Sequence, residues 1–130
     1  MEFRQPILLV DNDEKTVDLL RLILEGEGFI VHTAYCGEAA LGRVQSLKFA
    51  VVILDYALPD MKGDYLAERI RVENPETGII ILTGFKHAID PAKLNKFNYV
   101  FEKPVNPWEM LAALKLMMRV PEQMSKQIIQ

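Results

Sequence analysis

Polar residues follow four of the apolar runs in this chain: Asp11 after Ile7-Leu8-Leu9-Val10, Asp55 after Ala50-Val51-Val52-Ile53-Leu54, Thr83 after Ile79-Ile80-Ile81-Leu82, and Lys103 shortly after Tyr99-Val100-Phe101. Two carboxylates, a hydroxyl and an ammonium make a set suited to one kind of chemistry. Crowded carboxylates raise each other's pKa unless a cation joins them. Oxygen-only ligands with an open side suit a hard cation, best matched by Mg²⁺ with several waters retained. Such a cation and Lys103 would offset charge on phosphoryl oxygens, and Thr83 can donate a hydrogen bond to one of them. A carboxylate can itself be the nucleophile, giving an acyl phosphate. Asp55 is the candidate acceptor. Each residue also has a plainer reading: Asp55 as the start of a turn, Thr83 as a helix cap, Lys103 as a solvated lysine. The four together favour chemistry over coincidence, because the run Phe29 to Ala34 ends in no matching group.

The elements that must present these residues can be read from pattern. Short apolar runs without polar alternation, rich in β-branched residues, predict strands buried on both faces at 6–10, 50–54 and 78–82, with further strands at 29–34 and 99–101. Between them, helical spacing predicts helices over 14–25 (Val17, Leu20, Ile23, Leu24 inward), from Gly37 (Ala40, Leu41, Val44, Leu47 inward), over 64–73 (Tyr65, Leu66, Ile70), a weaker one over 90–96 and a last one from Pro107 to about Arg119. Asp13 suits the N-cap of the first helix, and Gly26 and Gly28 its end. Pro121 is expected to stop the last helix. Its apolar residues divide into Trp108, Leu111, Leu114 and Met118 on one face and Met110, Ala113 and Met117 on another, a pattern of deep burial or of a partner.

Strands alternating with helices imply a parallel sheet covered on both faces, with right-handed crossovers. No glycine-rich phosphate loop follows the first strand, and no G-x-x-x-x-G-K-[ST] occurs, so the expected fold is the flavodoxin-like (βα)₅ arrangement with strand order 2-1-3-4-5. That order makes strands one and three neighbours. Asp11 and Asp55 then meet at the topological switch point, on the edge where open α/β sheets bind ligands.

The 130 residues fit one domain; the expected boundaries are 3–120, with 121–130 a tail or the start of a linker. A net charge of −3 argues against direct nucleic-acid or anionic-membrane binding by this domain. The single cysteine, Cys36, excludes an internal disulfide and a multi-cysteine metal site, and suits a cytoplasmic setting. His32 and His87 read as a surface strand residue and a loop residue, without metal-ligand company.

The motifs ILLVDNDE at 7–14, GEAAL at 37–41, D-x-x-L-P-D-x-x-G from Asp55 to Gly63, ILTG at 81–84 and KPV at 103–105 are jointly specific. In this order and spacing the chain resembles the receiver domain of bacterial two-component response regulators, over Phe3 to about Val120. The resemblance implies a phospho-acceptor signalling domain. Asp55 would take a phosphoryl group from a sensor histidine kinase or a histidine phosphotransfer protein. Mg²⁺ would be held by Asp11, Asn12, Asp55 and the backbone carbonyl of Ala57. Thr83 and Lys103 would act in the switch, and the peptide before Pro104 would be cis. Such a domain is no independent enzyme; it catalyses only its own phosphotransfer and slow dephosphorylation. Output would pass to an effector domain or through a homodimer formed by the last helix.

Four positions depart from the family pattern. Asn12 stands where a second acidic residue is usual, and either Asn12 or Asp13 completes the metal site. Val100 stands where an aromatic switch residue is common, with Tyr99 one earlier. Ala57 and Phe85, at positions that gate the hydrolytic water, cannot hydrogen-bond it, which predicts a long-lived phosphoryl group. Two rival readings are a haloacid-dehalogenase-like phosphatase, whose first motif is also D-x-D, and a receiver-like adaptor that is never phosphorylated. The phosphatase motif wants Thr or Val where Lys15 stands.

Overall fold

Apolar side chains project from both faces of the central strands, so the sheet must be covered on both sides. The computed structural model describes residues 5–118 and shows this arrangement. Five strands, β1 (Ile7–Val10), β2 (Val31–Ala34), β3 (Val51–Asp55), β4 (Gly78–Thr83) and β5 (Tyr99–Glu102), form one sheet in the order β2-β1-β3-β4-β5, every pair parallel. Among the described residues four α-helices accompany them: α1 (Glu14–Gly26), α2 (Gly37–Ser46), α3 (Gly63–Glu73) and α4 (Pro107–Met117).

Strand alternation divides the core in two. Leu8, Val10, Val52, Leu54, Ile79 and Ile81 face α2 and α3, packing on Ala40, Leu66, Ala67 and Ile70. Ile7, Leu9, Val51, Ile53, Ile80 and Leu82 face α1 and α4, packing on Leu20, Leu24, Met110, Leu111 and Leu114. Asp13 caps α1 by accepting from the Lys15 N–H, and Gly28, at φ +96, closes it in a conformation that favours glycine. Asn106 caps α4 through the Trp108 and Glu109 N–H groups, with Pro107 in the first turn.

Several expectations need correcting. β2 begins at Val31, so Phe29 and Ile30 precede it. The helix expected over 90–96 is a 3-10 stretch, Pro91–Lys96, preceded by a 3-10 turn at Lys86–Ala88. Pro91 keeps Asp90 out of the helical region, at φ −56 and ψ 124, which cuts the connection in two, and neither piece is long enough to sustain an α-helix. Buried Ile89 and Phe97 anchor the segment to the core. It is also laced to α3: Lys93 to Asp64 at 2.7 Å, Lys96 to Glu68 at 3.1 Å, and Arg71 to the Lys96 carbonyl and the Asn98 amide oxygen.

Leu47 is exposed just past α2, and Tyr65 lies on the outer side of α3, where Ala67 takes the core place. In α4 the two expected apolar faces merge into one buried stripe, Met110, Leu111, Ala113 and Leu114, leaving Trp108 72% exposed. His32 is half-buried with its ring edge-on to Phe49, and His87 is exposed in the first 3-10 turn. The expected limits at Phe3, Arg119, Val120 and Pro121 and the tail 121–130 lie outside the described residues.

Candidate functional site

The ladder continues one residue past the strands, and this fixes the backbone at the carboxyl edge. The Asp11 N–H donates to the Ala34 carbonyl (3.1 Å), Tyr56 to Leu82 (2.8 Å) and Lys103 to Thr83 (2.8 Å). Val10 pairs with Leu54, so Asp11 and Asp55 sit side by side on the two central strands. Both are nearly buried, at 3% and 8% exposure. Lys103 reaches in from the end of β5 and bridges them: Nζ lies 2.8 Å from Asp11 Oδ2 and 3.2 Å from Asp55 Oδ2. The Lys103–Pro104 peptide is cis.

The electrostatics follow from this bridge. Burial works against the Lys103 ammonium, but its hydrogen bond to Asp11 and the charges of Asp11 and Asp55 outweigh it and hold its pKa above the ordinary lysine value. The remaining oxygens are only lightly used. Asp11 Oδ1 accepts from the Asp13 N–H (2.9 Å) and Asp55 Oδ1 from the Ala57 N–H (3.3 Å). Each oxygen has a further lone pair for a cation. Among the described residues no three His, Cys, Asp or Glu side chains converge on one point. The donor set is therefore two carboxylates, with room for a carbonyl, an amide oxygen and water, which fits Mg²⁺ better than a softer or more fully caged metal.

Asp13 belongs to the helix, not to this pair: its carboxylate accepts from the Lys15 N–H and the Thr16 hydroxyl. Asn12 is exposed beside Asp11. Thr83, 5% exposed, donates from its hydroxyl to the Phe85 carbonyl and accepts from the Phe85 N–H. Phe85 is 60% exposed, with its ring edge on His87, and Ala57 is exposed. Val100 packs among the residues facing α2 and α3, whereas Tyr99 stacks on Phe101 on the opposite face. Tyr99 therefore cannot stand in for an aromatic at position 100.

Asp60, read from sequence only as part of a loop, has a larger part. Its carboxylate accepts from the Gly37 N–H (2.8 Å) and the Glu38 N–H (2.9 Å) at the start of α2. These two bonds hold its carboxyl below the usual carboxylate range. One clue lies in the sequence: α2 follows Cys36, a poor N-cap residue, so its first N–H groups need a partner from elsewhere.

Residues 7–115 match the family described as the response regulator receiver domain. Among solved structures, a CheY-like receiver domain protein from Methanospirillum hungatei is 30% identical with a TM-score of 0.81, the match covering 94% of this chain and 98% of that one. TrrA, a response regulator protein from Thermotoga maritima solved in complex with Mg²⁺ and BeF, is 30% identical with a TM-score of 0.80, covering 87% and 98%. The transcriptional regulatory protein SrrA of Staphylococcus aureus is 32% identical, and the match takes in 87% of this chain but 47% of SrrA. A Haloferax volcanii protein is 36% identical over 82% of this chain and 18% of its own length. The chain thus spans half or less of these two longer relatives.

Proposed function

This chain belongs to the response regulator receiver family, and from that premise we propose that Asp55 is its phosphoacceptor. The observation that carries the reading is the Lys103 ammonium bridging Asp11 and Asp55 at the carboxyl edge of β1 and β3. An Asp55 oxygen attacks phosphorus as the bond to the donor's imidazole nitrogen breaks. The imidazole departs with its electron pair and recovers a proton from solvent. Lys103, already within hydrogen-bond reach of Asp55, turns to a phosphoryl oxygen and offsets its charge. Thr83 exchanges the Phe85 carbonyl for another phosphoryl oxygen. Mg²⁺ held by Asp11, Asn12, Asp55 and the Ala57 carbonyl would supply the remaining positive charge.

The donor is a sensor histidine kinase or a histidine phosphotransfer protein in the cytoplasm. The domain accepts the group once, loses it slowly and passes the change to an effector domain or a second copy through α4. No helix among the described residues is long and apolar enough to cross a membrane. The test is incubation with acetyl phosphate and Mg²⁺, read by intact mass. Wild type should gain one acid-labile phosphoryl group and Asp55→Asn none, with both proteins folded. Equal labelling of Asp55→Asn would refute the assignment.

A further inference from the structure

The loop that follows Asp55 is held at two places. At its base, the Gly63 N–H donates to the Tyr56 carbonyl (2.6 Å), and Ala57 forms an isolated bridge with Lys62. At its tip, Asp60 takes two N–H groups of α2, and the Met61 side chain lies so close over Gly37 that a Cβ there would come within 2.4 Å of its sulfur. The first turn of α2 is thereby fully satisfied. Gly37 and Glu38 donate to Asp60, Ala39 to the Cys36 sulfur and Ala40 to the Cys36 carbonyl. A carboxylate at a helix N-terminus is favoured by the helix dipole as well as by these bonds. Ala57 thus sits at the base, three residues before Asp60, and its N–H is bonded to the Asp55 carboxylate.

We propose that Asp60 is a positioning residue for the phosphoacceptor site: by capping α2 from the loop tip it fixes the orientation of Ala57 and so the metal-binding carbonyl. The inference rests on the reading of Asp55 and Ala57 as parts of a Mg²⁺ site. The Asp60 carboxylate is engaged with the start of α2. It acts by limiting how far the stretch 57–60 can turn, as partners behind metal ligands commonly do. Removing Asp60 would free the Gly37 and Glu38 N–H groups: Glu38 is exposed and its N–H would find water, while Gly37 is buried, and Asp60→Asn keeps an acceptor for one of them.

The experiment compares wild type, Asp60→Ala and Asp60→Asn by Mg²⁺ titration calorimetry, thermal melting and acetyl phosphate loading at limiting and saturating Mg²⁺. Asp60→Ala should weaken Mg²⁺ binding roughly three- to tenfold, at or below the range for groups that orient a ligand directly. Its loading defect should largely disappear at saturating Mg²⁺. Asp60→Asn keeps one acceptor oxygen and should fall between the two. Unchanged Mg²⁺ affinity in both variants, whatever their melting temperatures, would overturn the inference and leave Asp60 a cap alone. A wild type that binds no Mg²⁺ would overturn the metal reading and this inference with it.

Discussion

Gly63 closes the D-x-x-L-P-D-x-x-G motif, and its backbone is not in the left-handed region, so conformational freedom does not explain it. Space does. A Cβ at Gly63 would stand 2.8 Å from Tyr56 Cα, 2.9 Å from Leu54 Cδ1 and 3.3 Å from the Asp55 carbonyl oxygen. The first contact is about 0.7 Å shorter than the roughly 3.5 Å at which carbon atoms begin to pack well. Tyr56 cannot retreat easily. Its N–H is tied to Leu82 at 2.8 Å and its carbonyl receives the Gly63 N–H at 2.6 Å. Overpacking of this kind costs about 1–3 kcal/mol, and alanine's better helix propensity returns at most about 1 kcal/mol. Gly63→Ala should therefore destabilise the domain by about 1–2 kcal/mol, a fall in Tm of roughly 3–8 °C for a domain of this size. Gly42→Ala is the matched control. It lies in α2, and a methyl group there would have nothing within 4 Å, so alanine should raise Tm by a few degrees. Thermal and urea unfolding measure both, and acetyl phosphate loading shows whether the displaced Tyr56 carries Asp55 with it. If Gly63→Ala matches wild type, or gains stability as Gly42→Ala does, steric exclusion at Gly63 is refuted.

Lys103→Met should bind Mg²⁺ more tightly, because a positive neighbour is gone, yet load more slowly from acetyl phosphate; equal affinity and equal loading would reduce Lys103 to a structural lysine. The raised Lys103 pKa also sets a pH signature. The folded value exceeds the unfolded one, so the stabilisation is fully present below the ordinary lysine value of 10.5 and is lost as pH rises through the folded value. Urea midpoints at pH 8 and at alkaline pH should diverge more for wild type than for Lys103→Met. Ala57→Asn and Phe85→Glu should each shorten the phosphoryl lifetime by offering the attacking water a hydrogen bond, and together by more than either alone. Phosphate release over time from loaded protein in excess Mg²⁺ measures this, and no acceleration in the double variant would exclude water gating at these positions.

The sheet is legible in the sequence because its signal is local and repeated. Uninterrupted apolar runs at Ile7–Val10, Val51–Leu54 and Ile79–Leu82 leave few alternatives to buried parallel strands, and the order of the chain then brings Asp11 beside Asp55. What escapes depends on distant partners. Asp60 finds the start of α2 across a loop and a strand, and no spacing rule reports that. The segment from Lys86 to Lys96 carries helix-forming residues, but Pro91 and the pull of Ile89 and Phe97 toward the core override their propensity. The apolar residues of α4 read as two faces, since a helix with so many cannot show by periodicity which side the sheet takes. Packing in the layer it shares with α1 on one face of the sheet buries Met110 and Leu114 and leaves Trp108 outside.

The sheet's double-sided burial has a consequence for how the chain avoids misfolding. A strand with one polar face is held in register because a one-residue slip would turn that face inward. β3 offers no such safeguard: Val51, Val52, Ile53 and Leu54 are all fully buried, so a slip would exchange one apolar face for another. The stops are at the strand ends. Sliding β3 back by one residue, about 3.3 Å, would draw the Asp55 carboxylate away from Lys103 and into the apolar layer, at several kcal/mol. Asp11, held by Lys103 beside it, limits β1 in the same way. The charged groups that make the edge chemically competent are thus also its register pins, so an apolar residue in place of Asp55 would remove a folding check along with a nucleophile, whereas Asp55→Asn keeps a polar stop.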